Sequence, residues 1–329
     1  MSDPLPPITA TTYVDKTPQI LPFLKEVLKT HFHPTIPASD AALETHTTPI
    51  PPLVVGLSGI QGSGKTTLVD ALASALRSTP HPTIPNQYLR VTTFSLDDFY
   101  LPHADQVKLA QSNPENPLIQ VRGQPGTHDV PLLLQTLSAL KTHDAGEVKI
   151  PKYDKSLFDG AGDRLPESEW SVVETPVDVV LFEGWCVGFR AFEEDSDVVM
   201  RWADSQMMGG HAGKNKLVDV RWINERLKGY GEVTDQLDAL IHIDAEQLEY
   251  VYEWRLEQEH KLVKDKGTGM SDEAVKKFID CYMPTYEVYL DGLREGAFKN
   301  ATGNGKQQLR VILGRDRGIK KMELYEQEE

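Results

Sequence analysis

The stretch LVVGLSGIQGSGKTTLVDALASALRS, residues 53–78, carries the strongest structural signal in the chain. Its first eight residues are apolar and rich in β-branched side chains, which predicts a buried strand over 53–60. Apolar residues then recur at helical spacing over 66–78, and Pro80 follows, so we expect a helix that ends before the proline. Residues 59–66, at the junction, match the motif G-x-x-x-x-G-K-[ST]. A predicted strand before the motif and a predicted helix after it are the context that identifies a phosphate-binding loop. The stretch therefore predicts a loop whose backbone N–H groups surround a phosphate at a positive helix N-terminus.

The polar residues of this loop have separate expected tasks. Lys65 can reach the β- and γ-phosphates of a nucleoside triphosphate, and the Thr66 hydroxyl can hold Mg²⁺. We therefore expect ATP and Mg²⁺ as cofactors and Lys65 as a catalytic residue. The residues expected to contact the nucleotide are Gly59, Gln61, Gly62, Ser63, Gly64, Lys65, Thr66 and Thr67.

Strands and helices alternate along the rest of the chain. The predicted strands are 89–100 (running into a polar turn), 177–184, 237–243 and, as the last, 309–314, and the predicted helices are 18–33, 127–140, 246–264 and 271–282. These strands are continuous apolar runs, which is typical of strands buried on both faces. The predicted class is α/β: a P-loop NTPase fold with a mostly parallel sheet and helices on both faces.

The expected organisation is one main domain with appended parts. Residues 53–329 form the predicted domain, and residues 1–52 hold a tail, the helix 18–33 and a proline-rich loop. A cationic helix that leads to Gly267 and Gly269 predicts a lid at about 255–270. The stretch 193–216 has no clear period, and we expect a flexible insertion there.

Composition excludes several classes of protein. The 329 residues include 34 Lys and Arg against 49 Asp and Glu, a net charge of −15, which disfavours nucleic acid as a partner. The 2 cysteines are too few for a disulfide framework or a cysteine-rich zinc site. The sequence has neither an apolar run of roughly 20 residues nor a secretory signal pattern. We expect a cytoplasmic protein that does not bind membranes; the oligomeric state stays open, with a monomer preferred.

Acidic residues end two of the predicted strands. Asp97 and Asp98 follow the strand that begins at residue 89, and Glu183 closes the strand 177–184. The carboxyl ends of parallel strands face the ligand crevice, so these carboxylates are expected beside the phosphate loop. Asp97 can accept a proton from an acceptor hydroxyl or bind Mg²⁺, and Glu183 is typical of a carboxylate that reaches Mg²⁺ through water. The expected metal-binding residues are Thr66, Asp97 and Glu183.

Cations in three further segments are candidates for binding an anionic acceptor. Arg122 and His128 lie in RGQPGTHD, and Arg164 ends a polar, glycine-rich stretch, where its guanidinium suits a carboxylate. Arg255, in the lid, can stabilise the transferring charge, although it also has the spacing of an ordinary i,i+4 pair with Glu259. A small anionic hydroxy acid is the preferred acceptor, because an acidic protein would recruit it through local cations, and Arg122, Lys152, Lys155 and Arg164 supply such a cluster. A nucleoside stays possible if aromatic residues form a stacking slot, the candidates being Tyr153, Phe158 and Trp185.

Six segments resemble the D-glycerate 3-kinases of the plant and fungal type, within the group of phosphoribulokinase, uridine kinase and pantothenate kinase. They are GLSGIQGSGKTT (56–67), SLDDFY (95–100), RGQPGTHD (122–129), PKYDKSLFDGAGDR (151–164), VVLFEGWCVGF (179–189) and WRLEQEH (254–260). The resemblance implies ATP-dependent phosphorylation of the 3-hydroxyl of D-glycerate. It assigns Asp97 as general base, Lys65 to the phosphates, Thr66 and Glu183 to the Mg²⁺ region and Arg255 to the lid. It assigns acceptor binding to Arg122, His128, Tyr153 and Arg164.

The sequence leaves two alternative functions open. One is a kinase of another acceptor, such as a nucleoside or pantothenate. The other is a nucleotide-binding regulatory protein without catalysis, against which Lys65, Thr66, Asp97 and Glu183 speak together.

Overall fold

A computed structural model of the protein describes residues 14–33, 50–142, 144–267, 269–299 and 305–326. In these ranges the chain forms a six-stranded sheet, two small two-stranded sheets and the helices packed against them. The strands are β1 (Leu53–Gly59), β2 (Val91–Ser95), β3 (Glu147–Ile150), β4 (Tyr153–Asp154), β5 (Asp163–Arg164), β6 (Ser171–Glu174), β7 (Val179–Gly184), β8 (Ala239–Ala245), β9 (Gln307–Leu313) and β10 (Ile319–Glu326). The helices are α1 (Thr17–Phe32), α2 (Lys65–Arg77), α3 (His103–Ser112), α4 (Val130–Lys141), α5 (Asp195–Met207), α6 (Leu217–Asp235), α7 (Tyr250–Lys266), α8 (Asp272–Asp280) and α9 (Met283–Glu295).

The central sheet has the strand order β10-β9-β8-β1-β7-β2. Strands β2, β7, β1, β8 and β9 are parallel, and β10 is antiparallel to β9. Every residue of β1, β7 and β8 is buried, as expected for strands covered on both faces. The predicted α/β class with a mostly parallel sheet is confirmed. Strands β1, β7 and β2 are consecutive and parallel in the sheet. Their carboxyl ends therefore lie side by side at the same end of the sheet.

Helix α1 packs on this domain through one apolar face, which confirms the helix predicted over 18–33. The buried members of that face, which join the main hydrophobic cluster, are Ile20, Leu24, Val27, Leu28 and Phe32. The Phe32 ring meets the His81 ring edge-on at 5.1 Å. The predicted tail and the proline-rich loop lie mostly outside the described residues, and the division at residue 52 stays a prediction. Within the described ranges, none of the helices combines the length and the apolar character that crossing a membrane requires.

The segment 193–216 contains regular structure that the sequence pattern did not predict, and the flexibility expected of it stays a prediction. It contains α5 and a 3-10 turn, Ala212–Lys214. Helix α5 buries few apolar side chains and is held by polar contacts instead, so its apolar period is weak. Ser205 Oγ donates to Glu287 Oε2 of α9 at 2.7 Å, for example. Contacts between distant polar residues leave no periodic trace in the sequence.

The strand predicted to be last, 309–314, is followed by β10. Strand β10, IKKMELYE, lies at the sheet edge with lysine and glutamate exposed among apolar residues. Charged edge strands of this kind prevent association with other sheets, and they fail the criterion of a continuous apolar run. Helices α3, α6 and α9 and the pairs β3–β6 and β4–β5 were also missing from the predicted elements.

Candidate active site

The phosphate loop lies between β1 and α2, as predicted. Gly62 and Gly64 have φ of +77° and +87°, a backbone region that glycine enters without strain. Helix α2 begins at Lys65, so the unpaired N–H groups of its first turn open toward the loop. Lys65 Nζ donates to the Ile60 carbonyl at 3.1 Å and thus spans the loop. The loop and the helix end together form a site for an anion of high charge.

Gly62 is packed so tightly that a substitution there tests the structure of the phosphate loop. A Cβ at this position would lie 2.6 Å from the carbonyl carbon of Trp254 in α7. We expect Gly62→Ala to lower the free energy of unfolding by about 1–3 kcal/mol and to weaken ATP binding about tenfold, because φ is positive and backbone must move. Thermal unfolding and ATP titration measure both effects. Gly229→Ala in α6, where the nearest atom is 3.6 Å away, is the control and should not destabilise; equal behaviour of the two variants would refute the argument.

A hydroxyl and a carboxylate meet beside the loop. Thr66 Oγ1 donates to Glu183 Oε1 at 3.2 Å, across the edge shared by α2 and β7. Burial raises the pKa of Glu183, and the nearby Lys65 ammonium opposes that shift. In the described part of the chain, no three His, Cys, Asp or Glu residues are grouped as a metal site. One hydroxyl and one carboxylate nevertheless fit Mg²⁺, which takes few protein ligands and completes its shell with phosphate and water.

The two aspartates after β2 have different surroundings. Asp98 closes a 3-10 turn, Leu96–Phe99, by accepting from the Ser95 N–H at 3.0 Å. Burial raises the pKa of Asp98 to about 6. Asp97 points away from that cap, and its Oδ2 pairs with Lys155 Nζ at 2.5 Å. Burial favours the neutral acid at Asp97, but the neighbouring groups, Lys155 foremost and Lys65 among them, together lower the pKa of the carboxyl. The Asp98 carboxylate is thus committed to the turn, whereas the Asp97 carboxylate pairs with Lys155.

His128 lies next to this carboxylate, on the loop before α4. Its ring stacks on Tyr100 with centroids 4.3 Å apart, and its Nδ1 is 2.6 Å from Tyr230 Oη. Burial lowers the pKa of His128 to about 4, so the ring is neutral at pH 7. Tyr230 Oη already accepts from the Gly126 N–H at 3.0 Å, so its own O–H is available to His128 Nδ1. That arrangement leaves the proton on Nε2, for which the described residues offer no hydrogen-bond partner.

Arg122 and Tyr153 come together against the glycine-rich loop. Arg122 Nη1 donates to the carbonyls of Gly160, at 2.7 Å, and of Ala161. Its guanidinium lies 5.5 Å above the centre of the Tyr153 ring. The Tyr153 ring also meets the Tyr100 ring edge-on, with centroids 5.3 Å apart. The sequence-predicted group Arg122, His128 and Tyr153 is therefore assembled around Tyr100, beside Asp97.

Arg164 makes a different contact from the one expected. Its side chain is 10% exposed, and Nη1 pairs with Asp129 Oδ2 at 3.0 Å while Nη2 donates to the Tyr100 carbonyl at 2.8 Å. Asp129 is also the N-cap of α4. The guanidinium thus ties the β4–β5 hairpin to α4 instead of facing an incoming carboxylate. We leave Arg164 out of the proposed acceptor ligands for this reason.

Arg255 also pairs within the chain. Its Nη1 lies 2.6 Å from Glu259 Oε2, and its guanidinium lies 5.5 Å from the centre of the Phe278 ring of α8. This is the ordinary i,i+4 pair that the spacing allows. The predicted lid is the second half of α7 with its cap at Gly267, and Met270 N–H donates to Glu259 at 2.7 Å. Thr268 lies outside the described residues, and opening of the lid stays a prediction.

Two residues near the site, Tyr230 and Arg317, were absent from the predicted set, and Lys155 was predicted only as one member of a cluster of cations. Lys155 contacts Asp97, Tyr230 contacts His128, and Arg317 donates to the Gly62 carbonyl at 2.9 Å. Lys155 was visible in the PKYDKS segment as one of several cations, but nothing in the spacing selects it. Arg317 lies in the β9–β10 turn, 255 residues from Gly62, and Tyr230 lies in a helix that the sequence pattern did not predict.

Comparison with known proteins identifies the family. No model of a protein family matches the chain. The chain is 41% identical over 271 residues to the uncharacterized kinase mug58 of Schizosaccharomyces pombe, covering 81% of this chain and 89% of that protein. It is 38% identical over 247 residues to the chloroplastic D-glycerate 3-kinase of Arabidopsis thaliana, covering 74% of this chain and 49% of that protein.

A solved structure agrees with these relatives. The D-glycerate 3-kinase from Cryptococcus neoformans is 37% identical and superposes with a TM-score of 0.80, covering 95% of this chain and all of that one. The similarity therefore extends over the sheet, the phosphate loop and the helices around them. The phosphate loop and these relatives lead to the same conclusion: the chain belongs to the D-glycerate 3-kinase family of P-loop kinases.

Proposed function

We propose that the protein transfers the γ-phosphoryl group of ATP to the 3-hydroxyl of D-glycerate. The observation that carries the proposal is the Asp97–Lys155 pair at 2.5 Å, a carboxylate and a cation side by side next to the phosphate loop. A hydroxy acid offers the complementary pair, a hydroxyl and a carboxylate. Two relatives named D-glycerate 3-kinase support the same acceptor.

In the proposed reaction, residues of the loop 59–67 bind the triphosphate, and Lys65 neutralises charge on the transferring group. Asp97 orients the acceptor hydroxyl and takes its proton. The hydroxyl oxygen forms the new bond to the γ-phosphorus as the bond to the bridging oxygen breaks, and ADP leaves with that electron pair. Mg²⁺, held by Thr66 and Glu183, would supply charge neutralisation at the phosphate oxygens.

His128 has a proposed role in holding the acceptor. Its Nε2–H is a buried donor without a partner in the described residues, and it belongs to the same electrostatic cluster as Asp97. An acceptor oxygen would satisfy this donor, which otherwise raises the free energy of the folded state. Because the imidazole is neutral at pH 7, it selects an oxygen by hydrogen bonding and not by charge.

We expect Tyr230→Phe to lower kcat/KM for the acceptor about tenfold, while the KM for ATP changes little. The variant removes the O–H that keeps the His128 proton on Nε2, and one hydrogen bond between uncharged groups is worth about that factor. Steady-state kinetics with each substrate varied measures the effect. The matched control is Tyr289→Phe, a buried tyrosine that donates to Asn224 at 3.1 Å in another part of the core. An equal loss in both variants would assign Tyr230 to stability alone.

The stacking slot that a nucleoside would need finds little support. Trp185 is 4% exposed and packs edge-on against Tyr282 and Tyr286 at 5.0 and 5.2 Å. Phe158 stacks on His103 at 3.9 Å. Tyr153 is faced by Arg122. Trp185 is thus enclosed, and Phe158 and Tyr153 each have one face covered by another side chain. The cytoplasmic setting and the preference for a monomer stay predictions from the sequence.

A coupled ADP-release assay with MgATP tests the proposal, with D-glycerate, L-glycerate, uridine, pantothenate and ribulose 5-phosphate as acceptors. We expect turnover with D-glycerate well above the others. Turnover with a different acceptor would keep the kinase and discard glycerate. ATP binding without transfer to any of the five would favour the regulatory alternative.

A further inference from the structure

The cation that lies nearest to the proposed base is Lys155. Its Nζ is 2.5 Å from Asp97 Oδ2, and its side chain is 57% exposed whereas that of Asp97 is 27% exposed. Lys155 is therefore the more exposed partner of the pair. Asp97 raises the pKa of Lys155, so the lysine stays charged at neutral pH.

The other cations near Asp97 have partners of their own. Arg164 is paired with Asp129, and Arg122 donates to two carbonyls of the glycine-rich loop. Lys65 spans the phosphate loop and is needed for the triphosphate. Lys155 has a carboxylate as its partner, and a carboxylate on a ligand can replace that partner without a change in chemistry.

The size of the acceptor matches this exchange. In a three-carbon hydroxy acid, the terminal hydroxyl and the carboxylate are separated by about 5 Å or less. A hydroxyl on Asp97 therefore brings the carboxylate within reach of a lysine that starts beside Asp97. The flexible four-carbon stem of lysine lets the ammonium turn from one carboxylate to the other.

We propose that Lys155 is the specificity-determining residue for the acceptor: it pairs with Asp97 in the free protein and passes to the carboxylate of the acceptor on binding, which frees Asp97 for the hydroxyl. This inference rests on the proposed function. In the free protein the pair neutralises a half-buried carboxylate that would otherwise be unfavourable. An acceptor without a carboxylate cannot draw Lys155 away, so its hydroxyl competes with the ammonium for Asp97. The exchange thus makes the acceptor's negative charge a condition for reaction as well as for binding.

The test compares D-glycerate with D-glyceramide, the neutral amide of the same shape, in the wild type and in Lys155→Met. In the wild type we expect kcat/KM to favour glycerate on the order of a hundredfold, since hydrogen bonds to charged groups are worth this much. In Lys155→Met we expect glycerate to lose that factor, while kcat for glyceramide stays the same or rises. The KM for ATP should change little, whereas the thermal midpoint should fall moderately, because the variant leaves the half-buried Asp97 carboxylate without its cation.

Matched variants separate the outcomes. Lys149→Met removes another exposed lysine, which lies on β3 and whose Nζ is 2.8 Å from Glu167 Oε1. This variant should keep the wild-type preference for glycerate. Lys155→Arg, which keeps the charge, should restore part of the preference. An unchanged preference in Lys155→Met, or an equal loss with both acceptors, would overturn the inference while leaving glycerate phosphorylation in place. A wild type that transfers nothing to D-glycerate would overturn the proposed function and the inference together.

Discussion

Lys65→Ala is expected to lower kcat about a thousandfold or more without unfolding the protein. The ammonium lies on the phosphate loop, where it donates to the Ile60 carbonyl at 3.1 Å. Burial lowers the pKa of Lys65, and the nearby carboxylates of Glu183 and Asp97 oppose that shift. A cation held in this way is positioned for the negative charge of the transferring phosphoryl group.

The effect on stability should be small, because burying a lysine is unfavourable in itself and its removal offsets the lost contact. ADP release measures turnover, and thermal unfolding measures stability. Lys141→Ala is the control: its Nζ donates to the Gln236 carbonyl at 2.9 Å, in a contact between α4 and the end of α6. It should lose some stability and no activity. Turnover of Lys65→Ala close to that of the wild type would contradict the assignment of the phosphate loop.

Asp97→Asn is expected to lower kcat about 10²–10⁴-fold, the usual range for removing a general base. The amide keeps the shape of the carboxyl but cannot take the proton of the acceptor hydroxyl. It also replaces the ion pair with Lys155 by a weaker hydrogen bond. The KM for ATP should change less than about threefold, because binding of the triphosphate depends on the loop and the start of α2.

The neighbouring Asp98→Asn is the matched control. An asparagine oxygen can still accept from the Ser95 N–H, as Asp98 does at 3.0 Å, so the turn should persist and kcat should change little. Equal losses of kcat and of ATP affinity in Asp97→Asn would instead assign Asp97 to the metal or to the local structure. Equal losses in the two variants would place the effect on the turn and not on the base.

The elements predicted correctly share one physical property: each buries a continuous or periodic apolar face. β1, β7 and β8 and the helices α1, α2 and α4 lie where the patterns place them. Helix α5 and strand β10 were missed because one is held by polar contacts to other helices and the other is a charged edge strand. A pattern of apolar residues contains no information on such contacts.

The same division holds in the candidate site. The loop 59–66 is recognisable because its backbone path needs glycine at given positions and its helix must follow at once. Asp97 and Glu183 are recognisable because the first closely follows β2 and the second lies near the end of the buried strand β7. Arg164 and Arg255 carry the right charge for the roles expected of them, but the fold supplies each with a carboxylate of its own, Asp129 and Glu259.

The local chemistry of residues 53–78 and the apolar runs after them were sufficient to establish the fold class and the phosphate loop. Those features depend on neighbours in the chain, whose spacing can be read directly. The different surroundings of Asp97 and Asp98, the position of Lys155 beside the first and the neutral state of His128 required the folded chain. Lys155 lies 58 residues from Asp97, and Tyr230 lies 102 from His128. Which charges meet over such separations depends on how the sheet and its helices pack, because packing alone brings those side chains together.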